Sequence, residues 1–189
     1  MVARHSPRSV LIQLAAAAGG SILYALSICL TSILAIPGAD NVQLRPGVVV
    51  PIVIGALFGP VAGFTSGCAG NLAADQLLGW GWWPFWYLGN GIIGLAAGMF
   101  RPASGGANYT QLRPVIGVLL RALLGIGIGM GIASLSERWV TNSSWADVVQ
   151  VNFLPAFLSN TATATILTPV VLLIYGILRE STSLDPGEP

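Results

Sequence analysis

The sequence predicts an all-α integral membrane protein with six transmembrane helices, and three observations support this fold class. Hydrophobic residues make up 54% of the 189 residues, and charged residues make up only 8%. A soluble domain carries about 25% charged residues, so this low share is typical of a chain embedded in lipid. The third observation is that long apolar stretches, separated by turn residues, fill nearly the whole chain.

The apolar stretches define the predicted helices. Crossing a hydrocarbon core of about 30 Å takes roughly 20 helical residues. The stretches predict six helices, over residues 10–36, 46–58, 61–78, 84–100, 114–135 and 148–178. Gly59-Pro60 separates the second helix from the third because a Gly-Pro pair is a strong helix breaker. We expect Pro155 and Pro169 to bend the sixth helix or to shift its ends.

The arginines predict how the helices are oriented. Six helices put both termini on one side, and five arginines fall in the tails and in the fourth-to-fifth connection, against two in the opposite loops. Positively charged loops usually stay in the cytoplasm, so we expect cytoplasmic termini. The predicted organisation is one membrane domain, residues 10–178, between cytoplasmic tails at residues 1–9 and 179–189.

The chain lacks residue types that several function classes require. It contains no lysine, which excludes an ATP-binding Walker A loop, so any ATP that drives this chain is expected to be used by other subunits. His5 is the sole histidine, which argues against histidine-dependent intramembrane proteases and lipid phosphatases. We therefore expect no enzyme activity, no metal site and no cofactor. The net charge of +1, without a basic run, predicts no nucleic-acid binding.

A stripe of small residues follows one face of the first helix. Ala17, Ser21 and Ala25 recur at a spacing of four. Small residues let membrane helices approach closely. The stripe predicts either packing inside this bundle or a docking surface for a separate membrane subunit.

An aromatic cluster occupies the connection between the third and fourth helices. Four of the six tryptophans fall within seven positions, and the candidate ligand contacts are Trp82, Trp83 and Trp86. Tryptophan is typical of the membrane interface, which is one interpretation. The other is a cavity mouth where flat rings stack on a planar heteroaromatic ligand.

Polar side chains in the outer half of the predicted bundle form the second set of candidates. An unpaired amide or carboxylate is costly in lipid, so these groups should face each other or a water-filled pocket. The helical candidates are Asn71, Asp75, Asn90, Asn152 and Asn160. The candidates of the first external loop, which would close over a ligand, are Asn41, Gln43 and Arg45. Arg121 lies towards the inner side and is not assigned to the ligand.

Five short motifs carry a resemblance to a known family. The chain resembles the substrate-binding S components of energy-coupling factor (ECF) vitamin transporters, most closely over residues 15–100. The motifs are Asn41-Val-Gln-Leu-Arg-Pro, Phe58-Gly-Pro-Val-Ala-Gly-Phe, Gly70-Asn-Leu-Ala-Ala-Asp, Gly81-Trp-Trp-Pro-Phe-Trp and Gly89-Asn-Gly-Ile-Ile-Gly-Leu. Their order and spacing carry the likeness, and the last two helices match in pattern only.

The resemblance implies a function and partners. In that family six helices hold one vitamin near the external face of a bacterial or archaeal cell membrane. A small-x-x-x-small motif on helix one, here Ala17, Ser21 and Ala25, docks a transmembrane coupling subunit, and two cytoplasmic ATPases use the ATP. The resemblance fits riboflavin, thiamine or its pyrimidine precursor equally well.

A self-sufficient channel or secondary carrier is the alternative to a vitamin-capturing subunit. Against it, the chain shows neither the Asn-Pro-Ala motifs of aquaporins nor a convincing internal repeat.

Overall fold

A computed structural model describes residues 7–34, 43–100 and 107–183, and the elements in these ranges are all helical, which confirms the all-α prediction for them. The chain forms α1 (Pro7–Thr31), a 3-10 turn (Pro46–Val48) that leads into α2 (Val49–Phe58), α3 (Pro60–Leu78), α4 (Pro84–Gly98) and α5 (Leu112–Val140). A single turn α6 (Trp145–Asp147), a π-helical segment (Val148–Phe153) and α7 (Leu154–Ser183) follow.

The predicted helix ends are accurate where turn residues mark them and wrong where the helix continues through polar residues. The second, third and fourth predicted helices agree with the structure within two residues. α5 extends to Val140 and α7 to Ser183, beyond the predicted ends at residues 135 and 178. Both extensions contain Glu and Arg, which are good helix formers although they end the apolar pattern.

α1 is shorter than predicted. It ends at Thr31, where the Leu34 N–H donates to the Thr31 carbonyl at 2.9 Å and closes the last turn. The Leu34 carbonyl in turn accepts from the Leu44 N–H at 2.9 Å, which joins the two ends of the first connection. Residues 35–42, including the candidate Asn41, lie outside the described part of the chain.

Within the described ranges of the chain, three helical stretches are long and apolar enough to cross a membrane. They are Ser9–Thr31, Leu112–Val140 and Trp145–Thr182, and Pro46–Phe58 is a shorter apolar helix. α4 has only 15 residues, and α3 carries Asn71, Asp75 and Gln76 in its 19 residues. These apolar helices show a membrane-embedded protein.

The Gly59-Pro60 break is present as predicted. Gly59 has φ 108° and ψ 170°, a conformation that a side chain would strain, and Pro60 is the first residue of α3. The break therefore turns the chain within one residue and lays α3 against α2.

Glycines bring α2, α3 and α4 into backbone contact. A Cβ on Gly55 or on Gly63 would collide with the Gly94 carbonyl of α4, and one on Gly67 would collide with the Asn90 carbonyl. Membrane helices pack tightly through such small residues because lipid provides little hydrophobic drive for association. The three helices thus form a close-packed centre on which the polar side chains of α3 and α4 are fixed.

The two prolines of the last helix lie in different local structures. Pro169 lies inside α7, whereas Pro155 follows the π-helical segment. Proline has no N–H, so Pro155 cannot donate to the carbonyl four residues earlier. The Leu154 N–H instead bonds to the Val149 carbonyl, five residues back. This wider turn carries Asn152.

Candidate ligand-binding site

A cavity of about 520 Å³ lies at the end of the bundle where α3 and α5 finish and α4 starts. Small-molecule sites typically have volumes of about 300–1,000 Å³. Its wall consists of Gln43, Arg45, Asp75, Trp80, Trp83, Trp86, Met130, Glu137, Thr141, Ser143, Asn152, Ala156 and Asn160. The wall therefore draws on four helices, the π-helical segment and three connections.

Many residues that the sequence singled out lie on this wall, although their contact with a ligand stays a prediction. Those on the wall are Gln43, Arg45, Asp75, Trp83, Trp86, Asn152 and Asn160. Asn71 and Asn90 are fully buried behind it and do not line it. Trp82 is 66% exposed and lies outside the wall, with its ring edge against Tyr87. Asn71, Asn90 and Trp82 therefore do not border this cavity, and the ligand contact expected of them stays a prediction.

A chain of hydrogen bonds runs behind the wall from the first connection to α1. Arg45 Nη1 donates to Asn71 Oδ1 at 2.6 Å, and Asn90 Nδ2 donates to the same oxygen at 3.0 Å. Tyr24 Oη of α1 donates to Asn90 Oδ1 at 2.6 Å. Buried polar groups need such partners, so the two asparagines support the site by satisfying each other.

This network also holds Asp75. Asn71 Nδ2 donates to Asp75 Oδ2 at 3.2 Å. The two residues are four positions apart, so their side chains lie on the same face of α3. The other carboxylate oxygen, Oδ1, is buried and has no hydrogen-bond partner among the described residues. The carboxylate is therefore fixed through one oxygen, while the other has no donor.

The loop between α3 and α4 is rigid enough to present its tryptophans. Trp83 Nε1 donates to the Trp80 carbonyl at 2.7 Å. Tyr87 Oη accepts from the Trp83 N–H at 2.9 Å and donates to the Gly81 carbonyl at 3.0 Å. These bonds hold the loop against the start of α4, with Trp80 and Trp83 on the wall.

Sequence reasoning missed Glu137. It was assigned to the loop after the fifth helix, but α5 continues and buries it to 6% exposure. Trp86 Nε1 donates to Glu137 Oε1 at 2.7 Å. A usable signal existed, since Glu137 follows the buried Met130 and Ala133 by seven and four positions and so shares their helical face. The other wall residues that were not predicted are Trp80, Met130, Thr141, Ser143 and Ala156.

The structure places the small-residue stripe of helix one against α3, which favours its interpretation as packing inside the bundle. Ala17 and Ala25 are only 7% and 4% exposed, and Ser21 Oγ lies 3.3 Å from the Thr65 carbonyl of α3. Gly70 of α3 makes this packing close, because a Cβ there would approach the Ser21 carbonyl to 2.8 Å. The stripe therefore packs inside the bundle, and a docking face on α1 needs another register.

Comparison with known proteins identifies the family. Residues 12–176 match the model of the family described as ECF-type riboflavin transporter, S component. Over 65 residues the chain is 40% identical to UPF0397 proteins of Vibrio atlanticus (strain LGP32), Aliivibrio fischeri (strain MJ11) and Aliivibrio salmonicida (strain LFI1238). That match covers 34% of this chain and 36% of each relative, about a third of their length. The family match, which extends over most of the chain, confirms the resemblance: this chain belongs to the ECF-type riboflavin transporter S component family.

Proposed function

We propose that this chain binds a vitamin or vitamin precursor tightly in the cavity and delivers it into the cell as the S component of an ECF-type importer. The observation that carries the proposal is the wall of the 520 Å³ cavity, which combines three tryptophans with polar side chains. Tryptophan rings suit stacking on a planar heterocycle, while a few well-placed polar groups fix its orientation. Membership of a transporter S component family supports uptake rather than catalysis.

The proposed topology has six crossings of a bacterial or archaeal cell membrane, with cytoplasmic termini and the cavity at the external face. The placement of the arginines supports this orientation. Three polar side chains of α3, Ser66, Asn71 and Asp75, are buried within the bundle rather than turned to lipid, which favours a crossing. The exposed Gln76 lies two residues before the end of α3. Gln43 and Arg45 on the wall support the first connection as the lid.

ATP hydrolysis, in this proposal, takes place on other subunits. Since the sequence contains no lysine and hence no Walker A loop, ATP would be bound and used by two cytoplasmic ATPase subunits. A transmembrane coupling subunit would link them to this chain. Reconstituted alone in vesicles, the purified chain should bind ligand without concentrating it. Sustained concentrative uptake by the chain alone would show that it does not need the ATPase subunits, which contradicts the proposal.

The exposed side of α1 is the proposed docking face. Ala15 and Ala18 are exposed there, and a Cβ added to Gly19 would meet no atom within 4 Å. Ala15 and Gly19 are four residues apart, a spacing that lets a second helix approach closely. We propose this face instead of the register of Ala17, Ser21 and Ala25, which packs against α3.

A pair of substitutions tests the docking face. Gly19→Trp should leave the fold and ligand binding intact and abolish co-purification with the coupling subunit, because its bulk projects outward. Ser21→Trp should lower the melting temperature of the isolated chain, because it points at α3. Full complex recovery with Gly19→Trp would show that this face does not dock the coupling subunit.

Binding itself is tested by titrating the purified chain with a panel of vitamins and by native mass spectrometry of freshly purified protein. We expect one vitamin to bind at submicromolar concentration without ATP or partner subunits, about −8 kcal/mol or stronger. Absence of any bound vitamin in both measurements would overturn the proposed function.

A further inference from the structure

Three oxygen acceptors belong to the cavity wall and lack a donor. Gln43 Oε1, Asp75 Oδ1 and Asn160 Oδ1 are buried without a hydrogen-bond partner among the described residues. They come from the first connection, from α3 and from α7, and all three residues border the same cavity. Buried polar atoms in folded proteins are normally paired, so unpaired ones around a cavity indicate groups that a ligand satisfies.

Two of the three indole donors of the wall, by contrast, are already used inside the protein. Trp83 Nε1 donates to the Trp80 carbonyl, and Trp86 Nε1 donates to Glu137 Oε1. Arg45 Nη1 is directed away to Asn71 Oδ1. Among the buried side-chain atoms of the wall that lack a partner within the described part of the chain, all three are therefore acceptors.

The charged side chains of the wall also favour a ligand that is a cation. Asp75 and Glu137 are carboxylates, and Arg45 is the one basic side chain among the described wall residues. When all three groups are ionised, the formal charge of the wall is −1. Asp75 and Glu137 are only 3% and 6% exposed, so water screens them poorly and a cationic ligand would feel their field.

The tryptophans add a second attraction for a cation. Trp80, Trp83 and Trp86 border the cavity. The face of an indole ring attracts a cation through its quadrupole, and the attraction grows when water is excluded. Planar rings stack on the same faces, so a charged aromatic ring satisfies both preferences.

We propose that the ligand of this cavity is a positively charged aromatic heterocycle that carries amino N–H donors. The inference rests on the proposed function and narrows its substrate class. Amino groups on the ring would pair with the acceptors of Gln43, Asp75 and Asn160, and the ring cation would lie between the indoles and the two carboxylates. A neutral dioxo ring such as that of a flavin has one N–H donor and several acceptors, so the ring leaves at least two of the three wall oxygens unpaired and brings no positive charge to the two carboxylates. A site with unpaired polar groups rejects such an analogue strongly.

Two probes of opposite character test the proposal. Thiamine has a thiazolium cation and an aminopyrimidine, whereas riboflavin has a neutral dioxo ring. Calorimetric titration of the purified chain should show thiamine binding at least tenfold more tightly than riboflavin. Riboflavin binding as tightly as thiamine, or more tightly, would overturn the inference while leaving the proposed function standing. Binding of neither probe, together with no co-purifying vitamin in native mass spectrometry, would overturn both.

Isosteric substitutions separate charge from shape. Asp75→Asn and Glu137→Gln keep an oxygen acceptor but remove the negative charge, and each should weaken thiamine binding at least tenfold. The control is Glu180→Gln, at the far end of α7, where the carboxylate accepts from Thr110. It should leave thiamine affinity unchanged. Equal thiamine affinity in all three variants would show that the carboxylates of the wall do not recognise a cation, which overturns the inference.

Discussion

Replacing Asn90 with alanine distinguishes a ligand contact from a support behind the wall. Asn90 is 1% exposed, and its Oδ1 accepts from Tyr24 Oη while its Nδ2 donates to Asn71 Oδ1 and to the Trp86 carbonyl. Alanine removes all three bonds. Asn71 Oδ1 keeps Arg45 as a donor, so the group left without a partner is the hydroxyl of Tyr24, which is fully buried.

The size of the effect follows from that orphaned hydroxyl. Leaving a buried donor unpaired costs about 1–3 kcal/mol in soluble proteins. Side-chain hydrogen bonds between membrane helices contribute less, on average about 0.6 kcal/mol and at most about 1.7 kcal/mol. Asn90→Ala removes three side-chain bonds, and at about 0.6 kcal/mol each we expect the free energy of unfolding to fall by roughly 2 kcal/mol. Ligand affinity should fall less than about threefold, under 0.7 kcal/mol, because Asn90 does not line the cavity.

The assay pairs unfolding in mixed SDS micelles, followed by tryptophan fluorescence, with calorimetric ligand titration. Asn152→Ala is the matched control, since Asn152 lines the cavity and makes only a long 3.4 Å bond to the Asp147 carbonyl. It should weaken ligand binding with little change in unfolding. A Tyr24→Phe/Asn90→Ala cycle should give a coupling of about 1 kcal/mol. Unchanged stability together with a tenfold loss of affinity in Asn90→Ala would refute the supporting role.

Two further substitution pairs test the packing and the wall. Gly63→Ala places a methyl group against the Gly94 carbonyl and should destabilise the bundle by about 1–3 kcal/mol. Gly19→Ala meets open space and should leave the stability of the bundle unchanged. Equal melting temperatures of the two variants would contradict the close packing. Trp86→Ala removes part of the wall and should weaken ligand binding at least tenfold, about 1.4 kcal/mol, whereas the exposed Trp82→Ala should leave affinity unchanged. A larger loss of affinity with Trp82→Ala would place the ligand outside the cavity.

The sequence could predict the end of the bundle that holds the cavity but not the wall itself. Turn residues mark where helices begin and end, so polar groups such as Asp75 could be assigned to one end of the bundle and to a depth along its helix. Helical periodicity indicates that Asn71 and Asn90 face inward, yet whether either of them borders the cavity depends on the rotation of α3 against α4. That rotation is set by the backbone contact at Gly67, which a single sequence does not show. The sequence does not identify Glu137 as a site residue because the run of apolar residues stops before Glu137, whereas α5 continues to Val140.

The same dependence on neighbours explains the small-residue stripe of α1. A spacing of four identifies a face for close approach, but the spacing is equally suited to a helix of the same chain and to one of a partner. Here Gly70 of α3 presents the complementary surface, so Ala17 and Ala25 are buried and the exposed side of α1 carries Ala15 and Gly19. The face of α1 that a coupling subunit would contact could not be inferred without knowing which face α3 covers.

The distribution of satisfied and unsatisfied polar groups accounts for how such a site can bind tightly. Behind the wall, the bonds from Arg45 through Asn71 and Asn90 to Tyr24 are complete, which fixes the side chains before a ligand arrives. A fixed site loses little conformational entropy on binding, so more of the interaction energy appears as affinity. At the wall, Asp75 Oδ1 has no donor among the described residues, and the proposed ligand would pair it. Because the completed network ends on α1, the helix proposed to dock the coupling subunit also helps to hold the cavity in shape.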